Sequence, residues 1–557
     1  MGDGGSPARG ASDLRSAAAR LGPAGGLRPP DPPPDPRARR WPVAPVAGGA
    51  VAALLVVLSL GSLAAVAWRA EGWAALGPAD WAAVRFTLLQ AVLSATLSVL
   101  LAVPVARALA RRTFPGRGVL ITLLGAPFIL PTLVAVLGLL AVFGRNGIVS
   151  QGLGLLGLPP LQIYGLTGVV LAHVFFNLPL ATRLLLQGWL AIPSERFRLA
   201  GALGFSRGAV FRHLEWPMLR EMAPGAFLVI FLLCLTSFSV ALTLGGGPRA
   251  TTVELAIYQA FRFDFDLSKA ALLALVQFAL CAVAAALALG VALPSGTGAG
   301  LDRPLARHDL RPGGALAGWD AVVIALAALF LLVPLAVLIG RGAPMVAGLP
   351  AAVWVAAARS VAVALVSVAL CIGFGLALAL AIQRARGLAA RGLETVGMIA
   401  LAASPLVIGT GLFILVFPWV DPARLALPVT ALVNAAMALP FALRAILPAL
   451  RQAEATQGRL ADHLGLTGSA RLRLVILPRL RRPMGFAAGL TGALSMGDLG
   501  VIVLFAEREG ATLPLQLYRL MGAYRSDDAA GAAVLLLALA LAIFWAFDRG
   551  GRAHAAT

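Results

Sequence analysis

The sequence predicts an all-α polytopic membrane protein made of two tandem six-helix halves. Hydrophobic residues make up 59% of its 557 positions and charged residues only 13%, whereas soluble domains average about 25% charged. The apolar residues fall in runs of about 20, the length that crosses a bilayer as a helix. A basic stretch also occurs twice, at equivalent places in the two halves.

Twelve apolar segments are long enough to span a membrane. They are expected to be helices, because lipid offers no partner to backbone polar groups and the strands of a barrel are far shorter. The segments lie at 48–68, 86–108, 119–143, 163–186, 222–244, 268–290, 318–340, 353–381, 393–417, 425–447, 484–505 and 528–547.

The domain boundaries follow from these segments. Residues 1–47 are rich in Gly, Pro, Ala and Arg, so we expect a disordered tail there. The first half covers 48–290 and the second half 318–547, with a polar linker at 291–317 between them. A short tail at 548–557 completes the sequence.

Basic residues set the orientation of the segments. Counted with the adjoining segment ends, the loops after even-numbered segments hold 24 Lys and Arg, those after odd-numbered segments hold 12, and the two tails hold 9. Because basic loops stay in the cytoplasm, both tails are predicted to be cytoplasmic. The net charge of +20 is explained in the same way, so we expect no nucleic-acid partner.

The repeated basic stretch reads RLAGALGFSRGAVFRHLEWP at 198–217 and RLADHLGLTGSARLRLVILP at 459–478. The copies match at eight positions with a constant offset of 261. Pro179 and Pro440 share this offset, as do Arg183 and Arg444. Each half has an even number of segments, so the halves form a parallel repeat.

Each copy predicts a cytoplasmic helix–Gly–helix hairpin. Leu199 and Leu203 share one face of a short helix, Gly204 suits a left-handed helix end, and Pro217 precedes the next span. The second copy repeats these features at Leu460, Leu464, Gly465 and Pro478. One copy alone could be an interfacial amphipathic helix, but the duplication favours two docking elements with apolar faces.

These hairpins resemble the cytoplasmic motif of permeases in binding-protein-dependent ABC importers, which reads Glu-Ala-Ala, three residues, Gly, nine residues, Ile, any residue, Leu-Pro. Arg replaces the Glu in both copies. The resemblance implies that the hairpins contact an ATPase dimer. The implied coupling residues are Arg198, Leu199, Ala200, Gly204 and Pro217 in the first half, and Arg459, Leu460, Ala461, Gly465 and Pro478 in the second.

A second resemblance is more specific. The segment SFSVALTLGGGPRATTVELAIYQAFRFDFDLSKAA at 237–271, with AHVFFNLPLATRLLLQ at 172–187 and LEWPMLR at 214–220, is similar to fused twelve-helix permeases that carry thiamine. The similarity is strongest over 85–285 and absent from the first 47 residues. It implies a type I ABC importer permease fold in the bacterial inner membrane. The implied partners are a periplasmic binding protein and thiamine or its phosphate esters.

No ATP site is predicted in this sequence. A phosphate-binding loop needs Gly-x4-Gly-Lys-Ser/Thr, but the single lysine, Lys269, lies between Ser268 and Ala270. We therefore expect ATP and Mg²⁺ to bind a separate subunit, and no cofactor to bind this chain. Cys234, Cys281 and Cys371 are too dispersed for a metal site and are interpreted as buried thiols.

Polar residues inside membrane segments are candidates for a substrate path. His173 and Asn177 share a face of the fourth segment, although hydrogen bonding between helices also accounts for them. Asp498 is placed in the eleventh segment, facing a hydrated cavity. The predicted path residues are His173, Asn177, Ser237, Ser239, Glu254, Tyr258 and Asp498.

Three alternatives stay open from the residues. An ion-coupled secondary transporter also has parallel six-helix halves, but this sequence offers few buried acids and carries two hairpins. A membrane enzyme is disfavoured, because no metal-ligand cluster or nucleophile–base pair is recognisable. Among ABC importers, ferric iron is the alternative substrate, and only the 237–271 resemblance separates it from thiamine.

Overall fold

The computed structural model describes residues 43–69, 76–125, 129–245, 247, 250–290, 314–402, 404–506 and 510–553. Over these residues the chain is helical, with short π and 3-10 turns and no strand. The all-α fold class is therefore confirmed. The predicted tail over 1–42, the linker over 291–313 and residues 554–557 lie outside the described residues.

The helices of the first half follow the predicted segments, with additional breaks. They are α1 Val43–Val56, α2 Ser62–Arg69, α3 Pro78–Arg111, α4 Arg117–Leu123, α5 Thr132–Phe143, α6 Ile148–Leu155, α7 Leu166–Ala191, α8 Ser194–Ala202, α9 Arg207–Val210, α10 Trp216–Leu235, α11 Phe238–Leu244, α12 Val253–Arg262 and α13 Leu267–Gly290.

The second half repeats most of this order. Its helices are α14 Gly314–Gly342, α15 Ala351–Arg384, α16 Leu388–Met398, α17 Pro405–Val416, α18 Ala426–His463, α19 Gly468–Arg471, α20 Leu477–Met496, α21 Ile502–Phe505, α22 Leu513–Gly522 and α23 Ser526–Ala553.

Ten of the twelve predicted spans contain a helix that is long and apolar enough to cross a membrane, counting only the described residues. The ninth segment is divided between α16 and the short α17. The eleventh begins earlier than predicted, as α20, and its first turns carry Arg479, Arg481 and Arg482. The chain is thus a multi-pass membrane protein, and these two segments are less regular than the hydropathy pattern indicates.

Several predicted boundaries shift outward. Residues 43–47, predicted as tail, belong to α1, and residues 314–317, predicted as linker, begin α14. At the other end α23 continues to Ala553. Pro, Gly and Arg lowered the apparent apolarity of these stretches, but a helix can extend past the hydrocarbon region into the headgroups.

The two halves exchange their first helices. α2 packs on α17 of the second half, whereas α14 packs on α3 and α5 of the first half. Both contacts involve a glycine at the seventh position of its helix, Gly138 in α5 and Gly411 in α17. A Cβ on Gly138 would lie 2.8 Å from the Pro334 carbonyl oxygen, and one on Gly411 would clash with that of Ser62. The exchange ties the halves into one bundle with a shared apolar core.

Candidate substrate cavity and paired hairpins

A cavity of about 340 Å³ lies between the two halves. Its walls come from α5, α7 and the α10–α11 break in the first half, and from the start of α17 and the α20–α21 break in the second. Six of the seven predicted path residues line it: His173, Asn177, Ser237, Ser239, Glu254 and Asp498. The structure thus brings together residues that are up to 325 positions apart in the sequence (498 − 173).

Two unwound segments face each other across this cavity. The first separates α10 from α11 at Thr236 and Ser237, and the second separates α20 from α21 over 497–501. Ser237 and Asp498 differ by the repeat offset of 261, so they are equivalent positions. The prediction that Asp498 lies within a helix is wrong, because α20 ends at Met496. Gly497 and Gly500 flank Asp498 and favour the break.

His173 and Asn177 lie one turn apart on α7 and are buried. His173 Nδ1 is 3.3 Å from Ser94 Oγ, and Asn177 Nδ2 donates to Cys234 Sγ at 3.4 Å. Both residues therefore bond between helices and also line the cavity. The two interpretations of this pair are compatible.

The second half contains a matching polar cluster that the sequence interpretation missed. Asn434 occupies the position equivalent to His173, and its Nδ2 donates to Ser495 Oγ at 3.0 Å. Ser367 Oγ is 3.1 Å from the same hydroxyl. Asn434 could have been found from the sequence by adding 261 to 173.

Glu254 lies in the first turn of α12, a short helix buried in the bundle. Gln277 Nε2 donates to Glu254 Oε1 at 3.4 Å, and the side chain is 1% exposed. Tyr258, one turn later, does not line the cavity. Its ring packs against Phe238, with centroids 5.5 Å apart, and Phe238 forms part of the wall. Tyr258 therefore contacts the wall of the cavity through Phe238.

The short buried helices of both halves are fixed by equivalent hydroxyls. The Val253 backbone N–H donates to Thr87 Oγ1 at 2.9 Å, and the Leu513 N–H donates to Ser360 Oγ at 2.7 Å. Each hydroxyl satisfies a donor at a helix N-terminus that no intrahelical carbonyl can reach. This hydroxyl–backbone contact positions Glu254 at the cavity.

Three buried polar atoms at the cavity have no hydrogen-bond partner among the described residues. They are His173 Nε2, Glu254 Oε2 and Asp498 Oδ2. Such atoms are rare in folded proteins and call for an explanation at each site. Two carboxylate oxygens and a ring nitrogen, with Phe176 and Phe238 nearby, suit an aromatic cation with hydrogen-bond donors.

The two basic hairpins have the predicted shape. Gly204 has φ +68° and Gly465 has φ +65°, so both occupy the left-handed region. The hydrogen-bond pattern is also shared: Phe205 N–H donates to the Ala200 carbonyl, and Leu466 N–H donates to that of Ala461, each at 2.9 Å. This is the Schellman ending of a helix.

Each hairpin exposes a pair of leucines. Leu199 and Leu203 are 60% and 63% exposed, and Leu460 and Leu464 are 60% and 65% exposed. Between the leucines of each pair, Ala200 and Ala461 face inward and are buried. Arg198 and Arg459 are exposed beside the leucines. The result is two similar apolar faces with basic edges.

The hairpins differ from the prediction in two respects. Pro217 and Pro478 do not precede a span but lie inside continuous helices, directly after π turns at Phe211–Glu215 and Leu472–Ile476. The wider turn accommodates the missing proline N–H. The second hairpin also lacks a separate short helix, since α18 runs unbroken to His463. Pro193 breaks the first copy, and Glu454 occupies the equivalent position in the second.

Ion pairs anchor the first hairpin to the bundle. Glu215, 1% exposed, accepts from Arg107 Nε at 2.7 Å and lies 3.7 Å from Arg111. Arg111 and Arg112 also pair with Asp320 at the start of α14, at 3.9 and 2.8 Å. This cluster joins the hairpin to α3 and to the exchanged helix α14. The sequence interpretation did not identify it.

The second hairpin is held by a different set of charges. Arg471 pairs with Asp462 at 2.6 Å and with Glu454, both within the hairpin and the end of α18. Partial burial acts to lower the pKa of Arg471, but the hydrogen bonds and charges of these carboxylates outweigh it and raise the pKa above its usual value. The two hairpins are alike in shape and unlike in attachment.

Cys234, Cys281 and Cys371 are buried free thiols, as predicted. No group of three or more His, Cys, Asp or Glu side chains in the described part of the chain could hold a metal ion.

Together these features define a class: a polytopic all-α membrane permease with two fused repeats, a polar cavity between them and a pair of similar hairpins with exposed leucines. No protein-family model matches the chain. Sequence relatives nevertheless match it along nearly their whole lengths.

The relatives are named thiamine transport system permease protein ThiP. That of Brucella abortus (strain 2308) is 42% identical over 517 residues, which is 91% of this chain and 95% of the relative. That of Salmonella typhimurium LT2 is 40% identical over 534 residues, covering 93% and 99%. That of Escherichia coli K12 is 39% identical over 539 residues, covering 92% and 98%. The chain belongs to this permease family, and the resemblance found in the sequence is confirmed.

Proposed function

We propose that this chain is the membrane subunit of an ATP-driven importer that carries thiamine or its phosphate esters. The substrate is delivered by a periplasmic binding protein, and the chain lies in a bacterial inner membrane with both termini in the cytoplasm. The chain itself catalyses no reaction and binds no cofactor. ATP and Mg²⁺ bind a separate dimeric ATPase, which contacts the two hairpins.

The observation that carries this proposal is the pair of equivalent hairpins. Two faces of the same shape, with exposed leucines and left-handed glycines, suit two copies of one partner. A secondary transporter can also have repeated halves, but it has no dimeric ATPase for two such exposed faces to contact. The names of the relatives supply the substrate class.

The cavity supports the same substrate class. Its volume falls within the range of small-molecule sites, about 300–1,000 Å³. Thiamine carries a cationic thiazolium and an aromatic pyrimidine with an amino donor. The unpaired carboxylate oxygens of Glu254 and Asp498 suit a cation of either kind, whereas the ring of Phe176 favours an aromatic cation over a hydrated ferric ion. His173, Asn177, Ser237 and Ser239 complete the polar lining.

Replacement of both hairpin glycines tests the docking role. The Gly204→Asp/Gly465→Asp variant places a side chain at positive φ, which Asp tolerates better than most residues, and adds a negative charge beside the leucines of each hairpin. No atom lies within 4 Å of either added Cβ, so the membrane bundle should stay folded. We expect normal insertion but loss of the co-expressed ATPase during purification.

The matched control is Gly204→Asn/Gly465→Asn, because Asn has nearly the same shape as Asp and tolerates the left-handed region as Asp does, but is uncharged. It should retain the ATPase. Full retention by the Asp variant, with ATP-dependent uptake intact, would show that these hairpins are not the docking sites.

A further inference from the structure

A groove of about 900 Å³ opens on the outer surface of the second half, between α15, α20 and α23. It is separate from the substrate cavity and shares no lining residue with it. Most of its wall is apolar, with Leu365, Ile372, Met484 and Phe547 among the lining residues. Only its hairpin end is charged, where Arg473 and Arg481 reach it.

The two arginines have no carboxylate partner among the described residues. Both are exposed, unlike Arg471 in the same hairpin, which pairs with two carboxylates. Two free guanidinium groups at one end of an apolar groove match a ligand with an anionic head and a hydrocarbon tail. Arg also suits phosphate better than Lys does, since its planar fork donates two parallel hydrogen bonds.

The length of the groove matches one membrane leaflet. From Arg473 to Ala488, 15 residues of largely helical chain rise about 22 Å. Half a bilayer, headgroups included, is about 20–22 Å thick. The contacts between α20 and α23 fix the direction of the groove: Gly551 of α23 lies against the Arg481 backbone, whereas Phe544 lies against Gly489. The charged end of the groove is therefore at the hairpin end of both helices, and its apolar end extends along them away from the hairpin.

The repeat shows which substitutions open this groove. The arginines have counterparts in the first half, Arg212 and Arg220, which are also exposed. The residue equivalent to Ala488, however, is Phe227, whose ring stacks on Phe231 with centroids 6.0 Å apart. A small residue in the second half leaves open the space that an aromatic residue occupies in the first.

We propose that this groove binds one anionic glycerophospholipid of the hairpin-side leaflet, with its phosphate on Arg473 and Arg481 and an acyl chain along α20. Basic pockets between membrane helices are known binding sites for anionic lipid headgroups. Because Arg473 belongs to the π turn within the second hairpin, bound lipid would also stabilise the position of that hairpin. The first hairpin has its own anchor in Glu215 and Asp320.

Native mass spectrometry of the full-length chain in detergent tests the proposal. Phosphatidylglycerol and phosphatidylcholine with identical acyl chains are titrated in parallel. Each basic residue near an anionic lipid head strengthens binding about fivefold, so Arg473→Ala/Arg481→Ala should weaken phosphatidylglycerol binding about 25-fold and leave phosphatidylcholine binding unchanged. Arg212→Ala/Arg220→Ala is the matched control and should leave the tight site intact.

A second pair of variants tests whether the apolar part of the groove binds the acyl chain. Ala369 lines the groove and is exposed, so Ala369→Phe should fill it without disturbing the core and should lower phosphatidylglycerol binding. Ala362→Phe, two turns away on the same exposed face, should not. Equal binding of the two lipids by the unmodified chain, an equal loss in the control arginine pair, or no effect of Ala369→Phe would each overturn the proposal.

Discussion

The buried ion cluster at the first hairpin allows a quantitative prediction. Glu215→Gln keeps the shape of the side chain but removes its charge, leaving Arg107 and Arg111 facing a neutral group. Removing one partner of a buried ion pair costs about 3–5 kcal/mol. Arg107 is 26% exposed and also lies over the Phe211 ring at 4.8 Å, while Arg111 keeps Asp320, so we expect the lower end, about 3 kcal/mol.

Thermal unfolding in detergent measures this loss. The midpoint shift per kcal/mol falls as the unfolding unit grows, from about 2–4 °C at 150–250 residues. Because the two halves form one bundle of about twice that size, we expect about 1–2 °C per kcal/mol, so Glu215→Gln should melt about 3–6 °C lower. Glu221→Gln is the matched control, because Glu221 is exposed on the same helix and has no ion-pair partner among the described residues. If both variants melt together, the cluster does not stabilise the hairpin and the reasoning is refuted.

Two further predictions concern the cavity. Asp498→Asn should lower thiamine uptake at least about tenfold, the loss expected for one charged hydrogen bond, while the ATPase is still retained. The exposed Asp527→Asn is the control. Unchanged uptake by Asp498→Asn would show that Asp498 does not belong to the site. Thr87→Val removes the hydrogen-bond acceptor of the buried Val253 N–H, at a cost of about 1–3 kcal/mol. Hydrogen exchange over 253–262 should therefore accelerate at least about fivefold. Thr96→Val on the same helix should have no effect there, and equal protection in both variants would contradict the anchoring role of Thr87.

The sequence predicts what depends on local chemistry. Runs of apolar residues locate the spans, and the left-handed hairpin ends follow from Gly204 and Gly465, because only their missing side chains suit that backbone. The grouping of His173 with Asn177 follows from helical spacing. The repeat offset of 261 matches a residue identified in one half with its equivalent in the other half, as Ser237 and Asp498 show.

Features that depend on tertiary contacts could not be predicted in this way. The breaks at Ser237 and Asp498 lie in stretches that stay apolar, such as FSVALTL and LGVIVLF, and hydropathy does not distinguish an unwound segment from a helix. Glu215 pairs with Arg107 across 108 residues, and Arg112 pairs with Asp320 across 208. No local pattern connects such partners.

Reconstituted transport tests the central claim most directly. The chain and its ATPase are placed in liposomes containing ATP, with the periplasmic binding protein and labelled thiamine outside. We predict thiamine accumulation that requires both the ATPase and ATP, and no accumulation when a proton or sodium gradient is imposed on liposomes that contain this chain alone. Gradient-driven uptake by the chain alone, or no thiamine uptake by the complete system, would contradict the account.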